Sequence, residues 1–171
     1  MGVTIIEDSR QQANQHEVKH GAWKSGGVSV VRCKLAWGDY ILPPPCSVDT
    51  KRNIAELAQN IDQQHARFRN ECIGARDAGC QLVILVENEH GVTDLQSLMR
   101  WRESSADFAL RKGAQRRYEG SRLAKACATM TKRYGVIFEF CKPEEAAERV
   151  LELLMKYGGR ATHDEAERSG S

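Results

Sequence analysis

The sequence predicts a single α/β domain, because runs typical of strands alternate with segments typical of helices along its 171 residues. Residues 82–86 form an unbroken apolar run, as in a sheet strand covered on both faces. Residues 52–77 carry apolar side chains at helical spacing, as in a helix with one buried face. Composition does not shift and no long linker intervenes, so we predict one domain over residues 1–157 and a disordered tail over 158–171.

The first half of the chain predicts strands joined by turn residues. A helix ends at Gly26-Gly27, and the three prolines at 43–45 predict a turn, since proline cannot donate to a central sheet ladder. In order, we predict a strand over 3–7, a helix, strands over 28–35, 37–42 and 47–50, and one long helix over 52–77.

The second half predicts the middle of the sheet and its covering helices. Pro143 fits the first position of a helix, and the glutamates that follow it favour the positive end of the helix dipole. Residues 103–120 are basic and lack apolar periodicity, so we predict a mobile loop there. The predicted elements are a central strand over 82–86, helices over 94–102 and 120–134, a strand over 136–140 and a last helix from Pro143.

Basic residues are concentrated between positions 100 and 133, where ten lysines and arginines face three acidic residues, although the net charge is only +2. Such a segment attracts phosphates, and DNA is the partner we expect. A solvated helix face with a basic loop is the alternative. The candidate DNA-binding residues are Arg111, Lys112, Arg116, Arg117, Arg122 and Lys125.

Several classes of protein are disfavoured. The sequence has no apolar run of membrane-spanning length, and its N-terminus lacks the pattern of a secretory signal, so we expect a cytoplasmic protein. The six cysteines form no C-x-x-C pair, which argues against a zinc cluster or a disulfide framework and favours buried, unpaired thiols.

Two short stretches carry the candidate chemistry. Asp39 follows Gly38 in one predicted strand, and Asp49 and Lys51 lie in the next. Because side chains alternate along a strand, Asp49 and Lys51 point to the same face. Two carboxylates with few other ligands suit Mg²⁺ or Mn²⁺ better than Zn²⁺ and are typical of metal-dependent phosphodiester hydrolysis.

Supporting groups are placed at the end of the first strand. Asp8 is a candidate third carboxylate, and Arg10 is a candidate phosphate ligand two residues later. The ammonium of Lys51 is suited to orient or deprotonate the attacking water, or to stabilise charge on the phosphorus centre.

In this order, the residues resemble the XPF-type nuclease domain, a branch of the PD-(D/E)xK, restriction-endonuclease-like superfamily. Residues 5–10 resemble its first strand, which ends in Asp-x-Arg-Glu, and residues 38–42 match its Gly-Asp-Tyr strand. Residues 48–51 stand where the family has Glu-Arg-Lys, and residues 67–72 and 82–87 resemble its arginine-bearing helix and next strand. The resemblance covers about half of the chain well.

The resemblance implies a mixed central β-sheet flanked by helices and a metal-dependent DNA endonuclease, of a compact bacterial or phage type. It implies that Asp39, Asp49 and the Val48 carbonyl hold the metal, with Lys51 catalytic and Asp8 accessory. It also implies supporting or phosphate-contacting roles for two arginines, Arg10 and Arg67. Branched or single-strand-containing DNA and a homodimer are the implied partners.

The chain also departs from the family pattern. Gln11 replaces a glutamate, Asp49 replaces a glutamate, and Thr50 replaces the central arginine of Glu-Arg-Lys. The trailing acidic position falls on Ala55, and we expect no helix-hairpin-helix domain after residue 157. These departures keep open a second hypothesis, a catalytically inactive DNA-binding module of the same fold.

A third hypothesis comes from a literal H-E-x-x-H sequence, His16-Glu17-x-x-His20, which is the signature of zinc proteases. The longer protease motif would need glycine at 23 and histidine at 26, where Trp23 and Gly26 stand. We therefore expect these histidines to belong to an ordinary helix between two strands.

Overall fold

The computed structural model describes residues 4–11, 16–42 and 46–158. A mixed six-stranded sheet lies at its centre, in the order β2-β1-β3-β4-β5-β6, and helices cover both faces. This confirms the predicted α/β architecture. The strands are β1 Thr4–Asp8, β2 Ser29–Cys33, β3 Tyr40–Leu42, β4 Cys46–Lys51, β5 Gln81–Glu87 and β6 Ile137–Cys141.

Strand direction brings the predicted acidic residues together at neighbouring strand ends. β1 pairs in parallel with β2, while β4, β5 and β6 pair in parallel with one another. β3 is antiparallel to both of its neighbours, with Tyr40 opposite Glu7 on one side and Val48 on the other. The ends of β1 and β4 therefore meet the start of β3.

The helices form two layers, and alternating side chains of β5 enter both cores. Leu82, Ile84 and Val86 pack under α2, α3, α4 and α6, whereas Val83 and Leu85 pack under α1 and α7. β5 lies next to the edge strand β6 rather than in the middle of the sheet. The helices are α1 Glu17–Ser25, α2 Ile54–Asp62, α3 His65–Asp77, α4 Leu95–Arg100, α5 Ser105–Leu110, α6 Gly120–Tyr134 and α7 Ala146–Gly158, the last after a 3-10 turn at Pro143–Glu145.

The prediction of one long helix over 52–77 is wrong, because α2 ends at Asp62 and α3 begins at His65. The amides of Gln63 and Gln64 both donate to the Gln59 carbonyl, at 2.8 and 3.0 Å, which ends the regular helical pattern. The apolar stripe has a polar gap between Ile61 and Phe68, so nothing there requires burial in a continuous helix.

The segment predicted as a mobile loop over 103–120 instead contains α5 and a buried carboxylate, Glu103. Arg111 donates to both oxygens of that carboxylate, at 2.6 and 2.7 Å, and this pair ties the segment together. The predicted turn at 43–45 and the predicted tail from 159 onward lie outside the described residues. No helix among the described residues is long and apolar enough to span a membrane.

Candidate active site

The predicted acidic residues line one open cleft of about 720 Å³, where the ends of β1 and β4 meet the start of β3. Asp8 closes β1, Asp39 immediately precedes β3, and Asp49 and Lys51 end β4. Helix α3 forms the opposite wall. The structure therefore brings together the predicted site residues that lie outside the basic segment. The side chains that line the cleft are Asp8, Arg10, Asp39, Asp49, Lys51 and Arg67.

Gly38 allows the chain to bring Asp39 against the end of β4. Its φ is +72°, and an added Cβ would collide with Ser47 Oγ, so only glycine fits without rearrangement. The Asp39 amide donates to the Val48 carbonyl at 3.0 Å, and the Asp39 carbonyl accepts from the Asp8 amide at 2.7 Å. The backbone of Asp39 is therefore fixed from both neighbouring strands.

The Asp39 carboxylate is held by Thr50, which stands where the XPF-type pattern has arginine. One oxygen, Asp39 Oδ2, accepts from both the amide and the hydroxyl of Thr50, each at 2.8 Å. Burial and the nearby charge of Asp49 nevertheless raise the pKa of Asp39 to about 8. The proximity of Asp49 and the loss of water therefore disfavour ionisation of Asp39 as long as no cation lies between the two carboxyl groups.

Lys51 lies on the same face as Asp49, as the strand alternation predicts, and their Nζ and Oδ2 atoms are 2.7 Å apart. Both side chains are buried, and the Lys51 ammonium also lies 5.5 Å from the Phe68 ring centroid. Burial opposes the charge of Lys51, but the charges of Asp49 and Asp39 outweigh it and raise the pKa of Lys51. The side chain is therefore cationic, which favours charge stabilisation over proton abstraction.

Glu71 is an acidic residue of the cleft that was not among the predicted site residues. Its Oε1 accepts from the Gly38 amide at 2.9 Å, so it anchors the turn that carries Asp39. Burial and the charge of Asp49 raise the pKa of Glu71. The available signal was a polar stripe at helical spacing on α3, opposite the apolar stripe; its members Arg67, Asn70, Glu71 and Gly74 line the cleft.

Asp8 lies in the cleft wall but is already engaged. Its Oδ2 accepts from Arg10 Nε at 2.7 Å, and its Oδ1 faces the amides of Arg10 and Leu35. Burial of Asp8 opposes ionisation, but these hydrogen bonds outweigh it and lower the pKa of Asp8. The Arg10 guanidinium also donates to the Leu35 carbonyl at 2.7 Å. Asp8 therefore fixes Arg10 and the following loop.

The candidate DNA-binding residues of the basic segment lie outside the cleft. Arg111 is bound to Glu103 and stacks 3.8 Å from the Tyr118 ring centroid, so it is a structural residue, which argues against its predicted contact with DNA. Arg122 pairs with Asp62 at 2.7 Å, and Arg117 donates to Ser105 at 2.6 Å. The segment is thus partly neutralised by its own contacts.

The H-E-x-x-H histidines do not form a metal site. His20 contacts Glu7 Oε2 at 2.5 Å, whereas His16 precedes α1 and faces the cleft. Within residues 4–11, 16–42 and 46–158, no three histidine, cysteine, aspartate or glutamate side chains form a ready set of ligands. The zinc-protease hypothesis therefore lacks a site in the described part of the chain.

The cysteines are unpaired thiols, and all except Cys33 are buried.

The pair of carboxylates at the strand ends fits a hard divalent cation. Asp49 Oδ2 is buried against the Lys51 ammonium and has no other hydrogen-bond partner in the described residues, and the mutual repulsion of Asp39 and Asp49 would be relieved by positive charge between them. The Val48 carbonyl already accepts from the Asp39 amide. Metal binding would require Asp49 to share or exchange its contact with Lys51.

Comparison with family models and with curated proteins finds no match to the sequence. Solved structures that are similar to this chain include XPF from Aeropyrum pernix, with a TM-score of 0.60 and 17% identity, and XPF from Aeropyrum pernix in complex with DNA, with a TM-score of 0.60 and 16% identity. Each covers 90% of this chain, which spans 60% and 64% of the respective neighbours. The likeness shows the fold: a mixed sheet with flanking helices, as in an XPF-like nuclease.

Proposed function

We propose that this protein is a metal-dependent DNA endonuclease that hydrolyses phosphodiester bonds in the cleft at the ends of β1 and β4. The observation that carries the proposal is the buried pair of Asp49 and Lys51 at the end of β4, with half-buried Asp39 beside it just before β3, in a fold like that of XPF. DNA is the proposed partner because one similar structure is an XPF in complex with DNA and because arginines line the cleft.

Asp39 and Asp49 would hold Mg²⁺ or Mn²⁺, with the Val48 carbonyl as a further candidate ligand. When bound, the cation would neutralise charge on the scissile phosphate and make water a better nucleophile. Thr50 donates two hydrogen bonds to Asp39 Oδ2, so Asp39 would hold the metal with its carboxylate oriented by Thr50. Asp8 supports this site by positioning Arg10 rather than by binding metal itself.

The protein's own cations act on the phosphate. Hydrolysis forms a bond from a water oxygen to phosphorus and breaks one phosphorus–oxygen ester bond, with negative charge growing on the phosphate oxygens. Lys51 is buried, cationic and fixed beside Asp49, so it is placed to stabilise that charge. Arg10 and Arg67, on opposite walls of the cleft, are suited to bind phosphates on either side.

A second candidate function is binding of DNA without cleavage. The ion pair between Asp49 and Lys51 favours it, because that contact satisfies the carboxylate without a metal. The family resemblance adds further parts to the proposal. These are selectivity for branched or single-strand-containing DNA, homodimerisation, a bacterial or phage origin, a role in DNA repair or recombination, and a cytoplasmic location.

One experiment separates the two functions. The protein is incubated with Mg²⁺ or Mn²⁺ and a panel of single-stranded, duplex, flap and junction DNAs, and binding is followed alongside cleavage. The nuclease function predicts cleavage that Asp49→Asn abolishes while DNA binding persists. Wild-type protein that binds every substrate and cuts none would support the binding module instead.

A further inference from the structure

His16 is a buried side chain with unused hydrogen-bonding groups, and it lies in the wall of the cleft. It is 7% exposed, and within the described residues neither ring nitrogen has a hydrogen-bond partner. The ring lines the same cleft as Arg10, Asp39 and Lys51. A polar group that is nearly removed from water and left unpaired in a native structure points to a partner that binds there.

The position of the ring is fixed by aromatic packing. His16 meets Tyr40 edge to face, with ring centroids 6.0 Å apart and an interplanar angle of 83°. Tyr40 in turn packs against Trp23 of α1 at 5.1 Å. His20, one helical turn further along, has its own partner in Glu7, so His16 is the unpaired member of these two histidines.

His16 is suited to act as an uncharged hydrogen-bond donor. Burial, assisted by the nearby charge of Lys19, lowers the pKa of His16. The imidazole is therefore neutral near pH 7, with one N–H donor and one acceptor nitrogen. The cleft is lined by the cations Arg10, Lys51 and Arg67 as well as by carboxylates, and with DNA as the proposed partner the acceptor that matches this donor is an oxygen of a bound phosphate.

We propose that His16 is a DNA-binding residue of this cleft, donating its ring N–H to a phosphate oxygen of the bound strand. The inference rests on the proposed function, because it names a contact made by the same site. It also gives a role to the first histidine of the H-E-x-x-H sequence that is unrelated to zinc.

The test measures DNA affinity by fluorescence anisotropy, without divalent metal, for wild type, His16→Phe and His16→Gln. Phenylalanine keeps the aromatic packing on Tyr40 and removes the donor, whereas glutamine restores a donor. The matched control is His90→Phe, an exposed histidine that does not line the cleft. We expect His16→Phe to weaken binding about fivefold, His16→Gln to recover part of the loss and His90→Phe to bind as wild type.

A second readout identifies the phosphate. DNA strands carrying a single uncharged methylphosphonate at successive positions should reveal one position where wild type loses affinity and His16→Phe loses much less. Unchanged affinity and an unchanged methylphosphonate profile in His16→Phe would overturn the inference. If His16→Phe does not fold, as judged by circular dichroism, His16→Ala takes its place with the same expected loss. Failure of wild type to bind DNA at all would instead overturn the proposed function.

Discussion

Thr50 donates both its amide and its hydroxyl to the same oxygen of Asp39, at 2.8 Å each. The side chain that stands where the XPF-type pattern has arginine thus carries no charge but adds a hydrogen bond to a candidate metal ligand. A carboxylate held in one orientation binds a cation with less loss of side-chain freedom. Thr50 is therefore a positioning residue for the site.

Replacing Thr50 by valine tests this relationship, because valine keeps the shape and the amide but removes the hydroxyl. We expect Thr50→Val to weaken Mn²⁺ binding about tenfold, in line with the loss of an outer contact to a metal ligand. Calorimetric titration of Mn²⁺ without DNA measures this directly. Thr50→Ser, which retains the hydroxyl, should bind Mn²⁺ nearly as wild type; equal weakening in both variants would refute the role of the hydroxyl.

The raised pKa of Asp39 predicts how the metal-free protein responds to pH. The folded state holds the Asp39 proton up to about pH 8, whereas the unfolded state releases it near 3.8, so this group's contribution to the free energy of unfolding falls as pH rises between those values. Glu71, whose pKa is also raised, acts in the same direction. We therefore expect Asp39→Asn to become more stable than wild type toward pH 8.

Urea unfolding of both proteins at a series of pH values measures this difference. Addition of Mg²⁺ at pH 8 provides the control, since it should stabilise wild type and leave Asp39→Asn unchanged. A stability difference that stays constant from pH 4 to pH 8 would contradict the predicted titration of Asp39.

The ion pair between Lys51 and Asp49 predicts opposite effects on metal binding and on cleavage. Lys51→Met keeps most of the side-chain volume but leaves Asp49 buried without its partner, which costs about 3 to 5 kcal/mol when a buried pair is broken. Metal should repay part of this cost, because Asp49 no longer shares its charge with an ammonium. We expect Mn²⁺ to raise the melting temperature more in Lys51→Met than in wild type, while cleavage is lost.

Thermal melts with and without Mn²⁺, read beside a cleavage assay, check both halves of that prediction. Retained cleavage in a folded Lys51→Met protein would remove Lys51 from the catalytic group. A smaller metal-induced shift than in wild type would show that Lys51 assists metal binding rather than competing with it.

Gly38 and Gly27 form a matched pair for testing how the turn places Asp39. Their φ angles are +72° and +74°, but an added Cβ collides with Ser47 only at Gly38 and has no neighbour within 4 Å at Gly27. Both alanine variants should lose about 1 kcal/mol from the left-handed backbone. We expect only Gly38→Ala to lose stability beyond that and to bind Mn²⁺ more weakly. Equal urea midpoints and equal Mn²⁺ affinities would contradict a role for the turn.

The sequence predicted those parts of the fold and site that depend on local periodicity. Strand alternation predicted that Asp49 and Lys51 share one face, whereas Gly38 and Asp39 were assigned to a strand that in the structure begins only at Tyr40. Glu71 was missed because it reaches the cleft through the packing of α3, which local sequence does not specify. The helix break after Asp62 and the pairing of Arg111 with Glu103 depend on burial and on contacts that become visible only when the chain is folded.

The role of Thr50 shows a further limit. From the sequence alone, a threonine where the XPF-type pattern has arginine indicates only that a positive charge is missing. Its two hydrogen bonds to Asp39 depend on the close approach of β3 to β4.

The central claim, that Asp39, Asp49 and Lys51 form the catalytic centre of a DNA endonuclease, is tested most directly by a cleavage assay. Wild type, Asp49→Asn and Lys51→Met are compared on flap and duplex DNA with Mg²⁺ or Mn²⁺, and with EDTA as a blank. We predict metal-dependent cleavage by wild type and a loss of at least about 100-fold in both folded variants. Cleavage that survives both substitutions would contradict this account.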